Sequence, residues 1–237
     1  MKSLIGKVSY HVKRILFDKY AIPKIINERI SKVVLKKYLP VNPVIIDCGA
    51  HDGSDSVELA TIFKKGIIHS FEPVEELYSR LKKKTEKYNN IHSYQIALAD
   101  KNGVMDLYVS EGSSDASSSL LEPVEHLKDH PGTFFKNTVS VSTNTLDSWA
   151  NKNAILKVDM LWLDMQGYEL NMLKASEFIL GTVSVIHTEV STKETYKEVT
   201  QYKEYRSFLE SKGFELLLEA IPKGWDMGNA LFLRKKI

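Results

Sequence analysis

From residue 44 onward the chain alternates between two spacings of apolar positions. Residues 44–47, 67–72, 91–98, 160–164 and 183–189 are short, nearly continuous apolar runs, the pattern of strands buried on both faces of a parallel sheet. Residues 54–64, 74–87, 168–174 and 202–212 instead place apolar side chains three and four apart among charged ones, which predicts helices that each bury one face. Asn89-Asn90 and Gly213 supply stops after two of these helices. Residues 214–219 and 230–234 close the series as a hairpin-like pair of strands. Strand and helix in alternation predict an α/β, doubly wound sheet, mostly parallel, with one antiparallel strand at its end.

Two stretches depart from that rhythm. Residues 1–40 carry helical spacing at Leu4, Val8, Val12, Ile15 and Leu16 and again at Ile25, Ile26, Ile30, Val33 and Val34, so one or two N-terminal helices are expected there. Pro40 and Pro43 end that segment. Farther on, Asn102-Gly103 marks a turn before a short alternating strand at 104–109, and residues 139–141 resume regular structure before a helix at 145–149. Residues 110–137 between them hold Ser113, Ser114, Ser117, Ser118 and Ser119 with two prolines and two glycines. Connections this long in compact domains are usually functional, and an active-site loop is the expectation.

The 237 residues accommodate one domain, 41–237, with 1–40 as an appended basic helical extension. Ten basic residues face only Asp18 and Glu28 in that extension, a balance of +8, which leaves −6 for the rest of a chain whose net charge is +2. An acidic main domain repels a phosphate backbone, so nucleic acid is not the expected partner. The basic segment admits three readings: a solvated cover over a ligand cleft, a membrane-surface contact, or a docking element for a partner. Cys48 is the only cysteine and excludes an intrachain disulfide. With lysines throughout the N-terminus and no run of about 18 apolar residues, a cytoplasmic protein is expected.

The chemistry concentrates at strand ends. The first strand finishes as Asp47-Cys48-Gly49-Ala50-His51-Asp52-Gly53, and the second as Phe71-Glu72-Pro73. A buried strand, a glycine turn that admits a ligand close to the backbone, and an acid about 20 residues later is the arrangement by which doubly wound folds hold a nucleoside, the acid accepting from both ribose hydroxyls. The turn is not G-x-G-x-x-G, and no G-x-x-x-x-G-K-[ST] occurs, which weakens the dinucleotide and nucleoside-triphosphate readings.

Those two blocks, with Thr145-Leu146-Asp147, Leu163-Asp164-Met165-Gln166-Gly167-Tyr168-Glu169 and Ile186-His187-Thr188-Glu189, resemble the FkbM family of methyltransferases over residues 44–234. The resemblance implies a Rossmann-like class I methyltransferase sheet and S-adenosylmethionine as cofactor. It also implies a hydroxyl acceptor on a sugar or glycoconjugate, with a lipid or peptide acceptor, or a non-catalytic binding protein, as alternatives. Carried onto this chain, Asp47, Gly49, Ala50, His51, Gly53 and Glu72 would surround the methionine and ribose portions. Ala97 and Leu98 would flank the adenine beside Asp100, and Ser114 would reach in from the serine-rich loop. A neutral hydroxyl must lose its proton as the new bond forms, which calls for a general base or an acidifying metal. Asp164 is the expected base. His187 and Glu189 share one face of the next strand, and Gln166 is a donor toward the acceptor. Asp164 with Glu189 could share that role or hold a divalent cation, and metal independence is the favoured expectation. Glu169 is read as supporting the Gln166-Gly167 turn, Asp147 as offsetting a helix dipole, and Trp225 as either a sugar platform or a core cover.

Overall fold

The computed structural model describes residues 25–26, 29–124 and 132–235. Helical spacing at Leu4 through Leu16 lies outside those residues. At Ile25–Ile26 (β1) and Arg29–Ile30 (β2) the structure forms a short antiparallel pair rather than the expected helix, and a 3-10 helix follows at Lys32–Lys37. The apolar residues there are sunk in the main core instead of lining one helical stripe: Ile30, Val34, Leu35 and Leu39 pack with Leu59, Phe63 and Trp162.

The central sheet is built from Val44–Cys48 (β3), Ile67–Phe71 (β4), Ile91–Tyr94 (β5), Met160–Leu163 (β9), Val185–Ser191 (β10), Phe214–Ala220 (β11) and Met227–Arg234 (β12). Its order is β11-β12-β10-β9-β3-β4-β5. All neighbours are parallel except β12, which inserts antiparallel between β10 and β11. Ile45, Met160 and Val185 point to one face, covered by Leu59 and Ala60 of Ser54–Ile62 (α1) and by the 3-10 helix. Ile46, Leu161 and Ile186 point to the other. That face is covered by Leu146–Lys152 (α3), Glu169–Lys174 (α4), Glu177–Thr182 (α5) and Tyr202–Ser211 (α6). Glu75–Thr85 (α2) packs against α1 and β5. Burial on both faces explains why the strands are continuous apolar runs. Among the described residues no helix is long and apolar enough to cross a membrane.

Three expectations are corrected. The run 91–98 is two strands: β5 stays in the main sheet, while Ala97–Leu98 (β6) leaves it to pair with a second sheet. That second sheet also takes the two ends of the loop expected at 110–137, because Gly103–Gly112 (β7) and Thr133–Asn144 (β8) form a long antiparallel ribbon with a bulge between Tyr108 and Ser110. Asp147 accepts N–H groups of Phe178 (2.9 Å) and Ile179 (2.9 Å). It therefore caps α5 rather than acting on its own helix.

Candidate active site

The chain runs β3 to β4 to β5 on one side and returns to β9 and β10 on the other, so the sheet reverses direction between β3 and β9. Ligands of open α/β sheets bind in the crevice outside the strand ends at such a point. A cleft of about 450 Å³ opens there, lined by Gly49, Ala50, His51, Glu72, Leu98 and Asp164 among others. Two adjoining parallel backbones hold its floor. The Asp164 N–H donates to the Cys48 carbonyl (3.0 Å), and a side chain on Gly49 would meet the Asp164 carbonyl oxygen at 1.9 Å. Gly49 (φ +76°) is thus required by the close approach of the two backbones. Gly53 is corrected likewise: it starts α1 at φ +82°, a Cβ there would strike Leu81 at 2.7 Å, and it does not line the cleft.

Glu72 is 5% exposed and organises the turn. Its carboxylate accepts the backbone N–H of His51 (2.9 Å) and of Val74 (2.9 Å), one on each oxygen. Each oxygen keeps a second lone pair for a ligand hydroxyl. Burial raises its pKa to about 7, against those two hydrogen bonds. Ala97, Leu98, Ile96, Phe71 and Leu107 form an apolar slot beside it. Asp100 instead accepts the Tyr168 hydroxyl (2.8 Å).

Asp47 lies beneath the turn, 1% exposed, and does not line the cleft. One of its oxygens accepts the Ser56 hydroxyl of α1 while Oδ1 has no partner among the described residues. It ties strand, turn and helix together, and burial pushes its pKa up to about 7.

Asp164 is open to the cleft yet set deep in its concave wall. The surrounding protein raises its pKa by desolvation, with the Gln166 hydrogen bond opposing. Gln166 (φ +52°) donates through Nε2 to Asp164 (2.7 Å) and to Glu189 (3.0 Å), and its Oε1 accepts from Tyr196 (3.1 Å). The Ser119 hydroxyl holds the Gln166 carbonyl (2.8 Å). Glu189 stands behind Gln166, bordering a second, small cavity rather than the cleft. Burial, then the charges of Asp164 and Glu169, push its pKa well up. Glu169 accepts the Met165 N–H (2.7 Å), and burial raises it to about 7.

His187 is removed from the expected catalytic set. It shares Glu189's face but sits one layer lower, stacked on Trp162 at 3.5 Å between ring centroids, and burial lowers its pKa to about 3. Ser114 does not line the cleft either; its hydroxyl accepts the Ala116 N–H (3.2 Å). Its neighbour Asp115 does. Asp115 bonds His51 Nε2 (2.8 Å) and Arg80 (2.7 Å), pinning the segment after β7 over the glycine turn. Neither partner is near Asp115 in sequence, so only an Asp at the foot of a serine-rich stretch marked it. Among the described residues no group of three or more His, Cys, Asp or Glu side chains is arranged to hold a metal ion.

An acid with free lone pairs, an apolar slot beside it and a glycine turn at the sheet's reversal fit a nucleoside cofactor. Fold and cleft together define a nucleoside-binding protein of the Rossmann-like class, and the family match makes it an S-adenosylmethionine-dependent methyltransferase. The chain belongs to the FkbM methyltransferase family, whose methyltransferase FkbM domain matches residues 47–216. It is 29% identical over 201 residues to the 2-O-methyltransferase NoeI of Sinorhizobium fredii, covering 83% of this chain and 81% of that protein. The crystal structure of a methyltransferase FkbM from Methylobacillus flagellatus superimposes with a TM-score of 0.53 at 12% identity, over 81% of this chain and 44% of that one. A fibrillarin/Nop5p complex matches with a TM-score of 0.51 at 16% identity, over 85% and 78% of the two chains. These structural likenesses concern the fold.

Proposed function

We propose that the protein methylates a hydroxyl oxygen of a sugar or glycoconjugate, with Asp164 as the general base. The observation that carries this reading is the Asp164–Gln166–Glu189 constellation: one carboxylate faces the cleft, and an amide bridges it to a second, more deeply buried carboxyl. S-adenosylmethionine, when bound, supplies a methyl group already activated on a sulfonium. The chain's task is therefore alignment of the acceptor oxygen and removal of its proton. Burial and the charges of Asp164 and Glu169 push Glu189 well up, and Asp164, also raised by burial, is the member of the pair that faces the cleft and is placed to take up the proton. Gln166, fixed at one end by Tyr196, holds Asp164 in place. The similar NoeI protein bears the name 2-O-methyltransferase, which supports oxygen as the acceptor atom.

The test is methyl transfer from labelled cofactor to a panel of oligosaccharides, repeated with Asp164→Asn. Turnover should drop about 100-fold or more while affinity for S-adenosylhomocysteine stays within about threefold. Near-normal turnover by the variant on a verified acceptor removes Asp164 from this role.

A further inference from the structure

Arg29 is the only arginine or lysine among the described residues that line the cleft. Apart from Glu72 and Asp164, the other charged residues of the wall are already engaged. Asp52 is paired with Lys84, Asp55 with Lys32 (2.5 Å), and Asp115 with His51 and Arg80. No described carboxylate lies within ion-pair distance of Arg29, and it is exposed to the cleft. A guanidinium aimed into an acidic cavity without a partner is half of a charge-assisted pair.

Its position is nevertheless held. Ile30, the next residue, is 5% exposed, and β2 packs against β11 and β12. Lys32 ties the same segment to α1 through Asp55 and Glu58 (2.6 Å) and lies 4.7 Å over the Trp162 ring. Two anchors within three residues fix where the Arg29 backbone enters the cleft. Within the cleft, Glu72 and the apolar slot mark the nucleoside part, and the Arg29 charge is felt by Asp164, the expected base, in the same cavity.

We propose that Arg29 binds the carboxylate of the cofactor's methionyl end, reaching in from a segment that precedes the matched family region. The fork of a guanidinium presents two parallel N–H groups to two carboxylate oxygens, a match that lysine's point charge lacks. The inference rests on the S-adenosylmethionine reading of the cleft. It makes part of the basic N-terminal segment a wall of the cofactor site rather than a detached arm.

Calorimetric titration of the full chain with two ligands tests it. S-adenosylhomocysteine carries the amino-acid carboxylate; 5′-methylthioadenosine shares the adenosine and sulfur without it. Arg29→Ala should weaken S-adenosylhomocysteine by about tenfold or more and leave methylthioadenosine within about twofold, with Arg29→Lys falling between. Thermal melting of both variants should match the parent, because the side chain is exposed. The proposal is overturned if Arg29→Ala leaves S-adenosylhomocysteine unchanged, or weakens both ligands alike. A parent chain that binds neither ligand overturns the cofactor reading as well, and is distinguished from the first case by needing no variant.

Discussion

Glu72 serves two masters, the turn backbone and the ligand, and the two roles separate by mutation. Glu72→Gln keeps an oxygen for one backbone N–H but loses the charge and one acceptor, whereas Glu72→Ala also frees the His51 and Val74 N–H groups. Affinity for S-adenosylhomocysteine should fall about tenfold or more in the first and further in the second, read by calorimetry, with only the second lowering the melting temperature. Near-normal affinity in Glu72→Gln with a loss confined to Glu72→Ala would show that the acid matters through the turn alone. Glu72 and Asp164 were legible in the sequence because each ends a buried apolar run, where a carboxylate has little reason to sit except to meet something. Asp115 and Arg29 were not. Their meaning comes from His51, Arg80 and the cleft wall, brought near by folding, and no periodicity encodes such meetings. His187 misled for the complementary reason: alternation gives the face of a strand but not the depth along it.

Among the elements, the close approach of the backbones at the ends of β3 and β9 is the tightest constraint on the site. Gly49→Ala would combine a left-handed backbone with an overlap against the Asp164 carbonyl that no side-chain rotation relieves. A loss of roughly 3 kcal/mol or more is expected in denaturant unfolding. Gly224→Ala is the matched control: φ is +85°, but nothing lies within 4 Å, so the loss should stay near about 1 kcal/mol. Similar losses in the two variants would show that φ alone, not the close approach, demands glycine. The parallel strands were readable because burial on both faces writes an unbroken apolar run. Of the β7–β8 ribbon only 104–109 and 139–141 were, since most of its side chains are exposed or half-exposed on either face and serines interrupt it. The hairpin at residues 25–30 hid behind isoleucines whose spacing suits a helix equally well.

For the molecule as a whole, the ionisable groups that folding buries decide how stability follows pH. Asp47, Glu72 and Glu169 are all raised to about 7, so the folded chain holds their protons where the unfolded chain has released them. Their contribution is complete below the ordinary carboxylate range near about 4 and is lost as pH climbs through about 7. His69 and His187, lowered by burial to about 4 and about 3, act in the opposite sense: their contribution stands above about 6.5 and is lost as pH falls through those values. The three carboxyls outnumber the two imidazoles, so the ligand-free protein should melt at higher temperature at pH 5.5 than at pH 8. Asp47→Asn should flatten the difference. A melting temperature that rises from pH 5.5 to 8 would mean that these carboxyls ionise in the fold at no cost. A different consequence attaches to β12, which separates β10 from β11. On the ribosome, residues up to 220 emerge before that strand exists, leaving the β10 edge, with Glu189 on it, open to any passing chain. Synthesis must therefore carry an unsealed sheet for as long as it takes to translate the closing segment, which makes this seam the place where nascent chains would first call on a chaperone.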